Sequence, residues 1–235
     1  MKKTIITFAL ISSLGFLHIQ AQQTPTPSTP SPAFKNPPVS VEEFTGGKYG
    51  TFQNFVNKGF GEKTPFGVYS IVNYNFNYTP SGMNDIVIQS LFTVNLYKRL
   101  AGGIGQFMSA NAFYPVTALK YAHTAKHFGI TILPVTSLSS DFNSQSLLTI
   151  FQYKPKITEK VKLYSRFQML NSWTDFNTRT YSYEQLRLGI EVTRVQFGVG
   201  ITFQQFEKQV NSNEQGFGLF QNANVGFFVR KELFN

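Results

Sequence analysis

The residues of this chain that could do chemistry are few, and most of them are bases. Lys162 and Arg166 sit at even spacing on one run of alternating apolar and polar residues. Arg187 and Glu191 do so on the next run, and Arg230 and Glu232 on the last. Residues two or four apart on an extended chain share a face. Lys162, Arg166, Arg187, Glu191 and Arg230 are therefore candidates for one polar surface, on which bases outnumber acids. Two readings of that surface stay open. It is a network in which Glu191 offsets the bases and the rest are hydrated or hydrogen-bonded. Or it is a binding site or constriction for an anion. Catalysis has less to work with. Downstream of residue 21 the only histidines are His123 and His127, and Cys is absent. A metal centre needs three or more converging His, Cys or carboxylate ligands, and the acids are scattered. No spacing links His123 to a Ser and an Asp in a catalytic arrangement. Gly102-Gly103 and Gly198-Val199-Gly200 lie in strand-like or turn-like surroundings with no helix behind them. They read as bends or close packing, not phosphate loops. No catalytic residue, metal or cofactor is expected.

The elements that must position these bases are strands. Val161, Leu163, Phe167 and Met169 alternate with Lys162, Tyr164, Arg166 and Gln168. Leu186, Leu188, Ile190 and Val192 alternate with Gln185, Arg187, Gly189 and Glu191. Val195, Phe197, Val199, Ile201 and Phe203 face away from Gln196, Thr202 and Gln204. Phe217, Leu219, Ala223, Val225, Phe227 and Val229 face away from Asn222, Asn224 and Arg230. A period of two with one apolar and one polar face is a β-strand pattern. These runs are about 12–16 residues long, against about 5–6 for strands of soluble domains. Long alternating strands suit a closed antiparallel up-and-down transmembrane β-barrel, apolar outside and polar inside. Working backward, runs at 65–78, 86–97, 103–112, 116–123, 128–137 and 144–153 bring the expectation to about ten strands. The count falls to about eight if the stretch around Pro115 is irregular. Composition agrees: Phe 25 and Tyr 11 accompany only 14% charged residues, as an aromatic-girdled, lipid-facing wall requires. The formal charge of +9 does not point to nucleic acid, because the bases are spread among turns and inward positions.

Ahead of the strands, Lys2 and Lys3, an apolar stretch from Thr4 to Ile19, and Ala21 form a secretory signal peptide over residues 1–21. Its apolar part, about 16 residues, is short for a spanning helix, which needs about 20. Residues 22–40 carry Pro25, Pro27, Pro30, Pro32, Pro37 and Pro38, and read as a disordered linker. In residues 41–64, Phe52, Phe55, Val56 and Phe60 recur at helical spacing among five glycines. A short helix or a small plug is expected there, with an extra strand as the other option. The barrel proper is expected over residues 65–235.

The final run, Val225-Gly226-Phe227-Phe228-Val229-Arg230-Lys231-Glu232-Leu233-Phe234, resembles the C-terminal assembly signal of Gram-negative outer-membrane β-barrel proteins. Asn235 departs from the usual terminal aromatic. The resemblance implies export, location in the outer membrane and contact with its lipid. Other envelope proteins are further candidate partners. An even strand count then puts both chain ends at the periplasmic side. The base-rich turns at Lys98/Arg99, Lys126, Lys154/Lys156/Lys160 and Arg194 belong to that side. The polar loops at 79–84, 137–143, 173–180 and 209–215 belong outside. At about ten strands a lumen is nearly filled by side chains, here by Tyr69, Tyr97, Tyr164, Tyr181, Tyr183, Phe206, Phe220 and Phe228. Trp173 and Phe176 fit an interfacial aromatic girdle or a recognition tip. The expected function is a non-enzymatic subunit or accessory of an outer-membrane assembly. The alternatives are a narrow channel or transporter for a small solute, an anion if the bases select it, and a lipid-acting enzyme.

Overall fold

A computed structural model describes residues 36–79, 84–109, 112–140, 143–174, 178–206 and 222–233. Twelve strands run in sequence: β1 (Val39–Gly46), β2 (Tyr49–Gly59), β3 (Phe66–Asn77), β4 (Asp85–Tyr97), β5 (Leu100–Ser109) and β6 (Phe113–Thr124). They continue as β7 (Phe128–Ser137), β8 (Ser144–Tyr153), β9 (Val161–Thr174), β10 (Thr178–Val192), β11 (Val195–Phe206) and β12 (Asn222–Leu233). Each pairs antiparallel with its sequence neighbours, and β1 pairs with β12, so the meander closes into a barrel. Closure leaves no open sheet edge, which lipid would not tolerate.

Twelve strands replace the expected ten, and the barrel begins at Val39, not Pro65. Residues 41–64 form no helix or plug: they supply most of β1 and all of β2. The cause is a coincidence of periods. Phe52, Val56 and Phe60 are four apart, and a spacing of four satisfies both a helix and one face of a strand. The ladders decide between them, because β2 pairs with β3 from Tyr49↔Asn77 to Gly59↔Gly67. The two added strands form a hairpin, so the parity is kept. Val39 faces Leu233, so the start of β1 and the end of β12 meet one rim with the basic turns at Lys98/Arg99, Lys126, Lys154–Lys160 and Arg194. The doubtful stretch around Pro115 holds two full strands, β5 and β6. Pro115 stands opposite Gln106 without breaking the β5–β6 ladder, and it is at Pro134 that the β6–β7 ladder is interrupted, between Ala118↔Val135 and Tyr121↔Ile132.

The outer wall exposes Phe92, Ile104, Phe113, Leu188, Phe197, Val225 and Phe227. The interior has two unlike sides. Tyr69, Ile71, Leu91, Val116, Leu133 and Ile150, on strands β3 to β8, pack into an apolar cluster. Glu42, Arg166, Arg187, Gln196 and Arg230, on β1 and β9 to β12, are equally buried and polar. Of the rings expected to fill the lumen, Tyr69, Tyr164, Tyr183 and Phe228 are buried there, at 2% exposure or less. Tyr97 is not: a register shift between Asn95 and Tyr97 turns it outward, 65% exposed. The side chains of Phe206 and Phe220 lie outside the described residues.

Where β12 meets β1 the two backbones touch at Gly226 and Gly46. A Cβ added to Gly226 would lie 2.0 Å from the carbonyl oxygen of Thr45. Gly226→Ala should therefore force the closing seam apart and lower the fraction that regains the compact, heat-modifiable gel band after refolding in detergent. Gly47→Ala, which meets nothing within 4 Å, should refold like the parent. Equal refolding of the two variants would contradict the closure.

Candidate functional site in the lumen

Strand alternation aims four charged side chains at one point. Arg166 on β9 stands directly opposite Arg187 on β10, and Arg230 on β12 stands opposite Glu42 on β1. Two like charges facing each other across a ladder repel. The Glu42 carboxylate relieves this by bridging them. Arg166 Nη1 donates to Oε2 at 2.7 Å, Arg187 Nε to Oε1 at 2.9 Å, and Arg230 Nη1 to Oε2 at 3.4 Å. The side chains of Glu42, Arg166 and Arg187 are at most 2% exposed, and that of Arg230 is 6% exposed.

Neutral groups take up part of the remaining donor capacity. Arg166 Nη2 donates to Gln53 and Gln168. Arg187 Nη1 donates to the carbonyl of Ile201 at 3.2 Å and to Thr202 Oγ1 at 3.3 Å. Its guanidinium lies 4.1 Å from the ring centroid of Phe44, a cation–π contact. Arg230 Nη2 donates to Ser40 Oγ at 2.6 Å. Arg187 reaches this position because its ladder partner is Gly200. A Cβ there would sit 2.7 Å from Arg187 Cδ. Even so, Arg166 Nε, Arg187 Nη2, Arg230 Nε, Gln89 Nε2 and Gln204 Nε2 are buried without a hydrogen-bond partner among the described residues. Three guanidiniums share one carboxylate, and several buried N–H groups remain open. The chemistry on offer is acceptance of negatively charged oxygen.

The other expected lumen residues form a second cluster nearer the rim where β1 starts and β12 ends. Glu191 receives Lys162 Nζ at 2.5 Å and Gln196 Nε2 at 2.8 Å, and pairs with Lys154 Nζ at 3.1 Å. Lys154 also pairs with Glu232. Here two bases meet two acids. The five residues expected on one surface thus divide: Arg166, Arg187 and Arg230 gather at Glu42, whereas Lys162 and Glu191 stand apart with Lys154 and Glu232. Sequence reasoning missed Glu42 because it fell in the stretch expected as helix or plug. The signal was present in Ser40, Glu42 and Phe44, alternating with Val41, Glu43 and Thr45.

Trp173 lies near the end of β9 at the opposite rim, half-buried and paired with Gln145 and Arg179. Phe176 lies outside the described residues. His123 is in β6 and His127 in the turn after it. Among the described residues, no three His, Asp or Glu side chains are grouped to hold a metal ion.

No protein-family model matches the sequence, and no curated protein matches it either. Solved structures resemble it at low identity. The NanC porin is 12% identical over 83% of this chain and 98% of its own, with a TM-score of 0.47. The outer membrane protein OprD from Pseudomonas aeruginosa is 9% identical over 74% of this chain and 59% of its own, with a TM-score of 0.39. OmpT of Vibrio cholerae is 11% identical over 77% of this chain and 64% of its own, with a TM-score of 0.35. The chain's own ladders, its exposed apolar belt and the charged side of its lumen make it a closed antiparallel β-barrel of the transmembrane type.

The two clusters should differ in energetic weight. Removing one partner from a buried charge group costs about 3–5 kcal/mol, whereas an exposed pair is worth about 0–1 kcal/mol. Glu42→Gln should lower the unfolding free energy, read by urea titration in lipid vesicles, by about 3 kcal/mol or more. Lys162→Ala, whose side chain is 42% exposed, should cost under about 1 kcal/mol. Equal losses would show that Glu42 is not the stronger anchor.

Proposed function

We propose that the barrel is a narrow, anion-selective channel or transporter of the outer membrane, not an enzyme. One observation carries this reading: three guanidiniums converge on a single carboxylate inside the lumen. The local balance is cationic, and the site is shielded from salt by burial. A ring of fixed bases lowers the barrier for anions and raises it for cations. Bilayer lipid covers the outer belt.

A second reading is a non-conducting subunit of an envelope assembly. What favours it is the filling of the lumen: Arg187, Tyr69, Tyr164, Phe44 and Leu133 all have no exposed surface. On that reading other envelope proteins dock at the rims, and the arginine group is structural.

Planar-bilayer recording separates the two. The parent protein in a potassium chloride gradient should show a reversal potential of the sign for chloride selectivity. Arg166→Gln/Arg230→Gln leaves Arg187 alone with Glu42, and should bring the anion-to-cation permeability ratio down several-fold, toward unity. Heat-modifiability of the variant checks its fold. A silent parent, together with a stoichiometric protein partner in a gentle-detergent pull-down, would favour the subunit reading.

A further inference from the structure

The lumen is built for more than charge. Its β3–β8 side carries the apolar cluster, with Asn73, Gln89, Lys120 and Thr149 buried beside it, and its β9–β12 and β1 side carries the arginine group. A pore for a hydrated inorganic anion has no use for that apolar half, which would face water whenever the pore opened. A cavity lies on the seam between the two halves. Ile71, Val87, Phe107, Leu148 and Leu170 line one part, and Asn73, Gln89 and Gln168 the other. Its volume is about 30 Å³, enough for roughly one water. The Gln89 side chain is 4% exposed, and its Nε2 is a donor without a partner on this wall. Gln168 on the same wall accepts from Arg166 Nη2, so the seam is one side chain away from the guanidinium group.

We infer that the solute is an amphipathic monoanion, a carboxylate on an apolar chain or ring. This rests on the anion-handling reading above and names its substrate class. The carboxylate oxygens take the open donors of Arg166, Arg187 and Arg230, and the apolar body lies against Ile71, Leu148 and their neighbours. Gln89 and Asn73 sit where the polar head gives way to the apolar body. The bound solute occupies the seam by displacing side chains, since the cavity at rest admits only a water.

The full-length protein in planar bilayers tests this with sodium acetate, butyrate and hexanoate as blockers of the chloride current, and with uncharged hexanol as a control. The half-blocking concentration should fall about fourfold for each added methylene, and hexanol should not block. Leu148→Thr, compared with its own acetate value, should flatten the series. If that variant does not fold, the series in the parent decides alone. A chloride current blocked equally by all three carboxylates overturns the amphipathic inference and leaves the channel reading standing. No current from any salt, with chain-length-dependent binding of the carboxylates in isothermal titration, supports the ligand site and removes the channel. Neither current nor binding overturns both.

Discussion

One carboxylate holds the interior together. Arg166 and Arg187 face each other across β9 and β10, and Arg230 approaches from β12. Burying three guanidiniums is costly unless each is paired and hydrogen-bonded, and Glu42 contacts all three. Glu42 is delivered by β1, the strand that also closes the barrel against β12. Closure of the wall and compensation of the lumen charge are therefore one structural event. Glycine makes the geometry possible at two points. Gly226 lets the closing strands approach, and Gly200 clears the path of the Arg187 side chain.

The asymmetry of the interior follows from sequence. Strands β3 to β8 alternate apolar residues on both faces for part of their length, so they present an apolar surface inward as well as outward. Strands β9 to β12 keep strict alternation and send Arg166, Gln168, Gln185, Arg187, Thr202 and Arg230 inward. A lumen with one largely apolar and one charged wall matches a solute that is itself divided. The paired Lys154, Lys162, Glu191 and Glu232 near one rim compensate each other and add little to that cationic field.

Much of this was legible in the residues. The runs at Val161–Met169, Leu186–Val192 and Val195–Phe203 lie within β9, β10 and β11 with the expected faces, as does Ala223–Val229 within β12. Phe217 and Leu219 lie outside the described residues. The parity and the basic rim were legible too, because the missed strands came as a pair. What was hidden was hidden for local reasons. Phe52, Val56 and Phe60 fit two periods at once, so β2 was not separable from a helix without its partner strand. Glu42 went with it, and the arginine group was left without its centre. Tyr97 failed because a register shift is invisible in a pattern of alternation. Lys154 read as a turn base, although the turn folds it back onto Glu191 and Glu232.

The most direct test of a cationic lumen is diffraction with heavy ions. Crystals of the protein soaked in sodium bromide and, separately, in rubidium chloride give anomalous maps that locate each ion. Bromide beside Arg166, Arg187 and Arg230, with no rubidium in the lumen, is the expected result. Rubidium near Glu42, or a lumen that admits neither ion while bromide decorates only the surface, would contradict it.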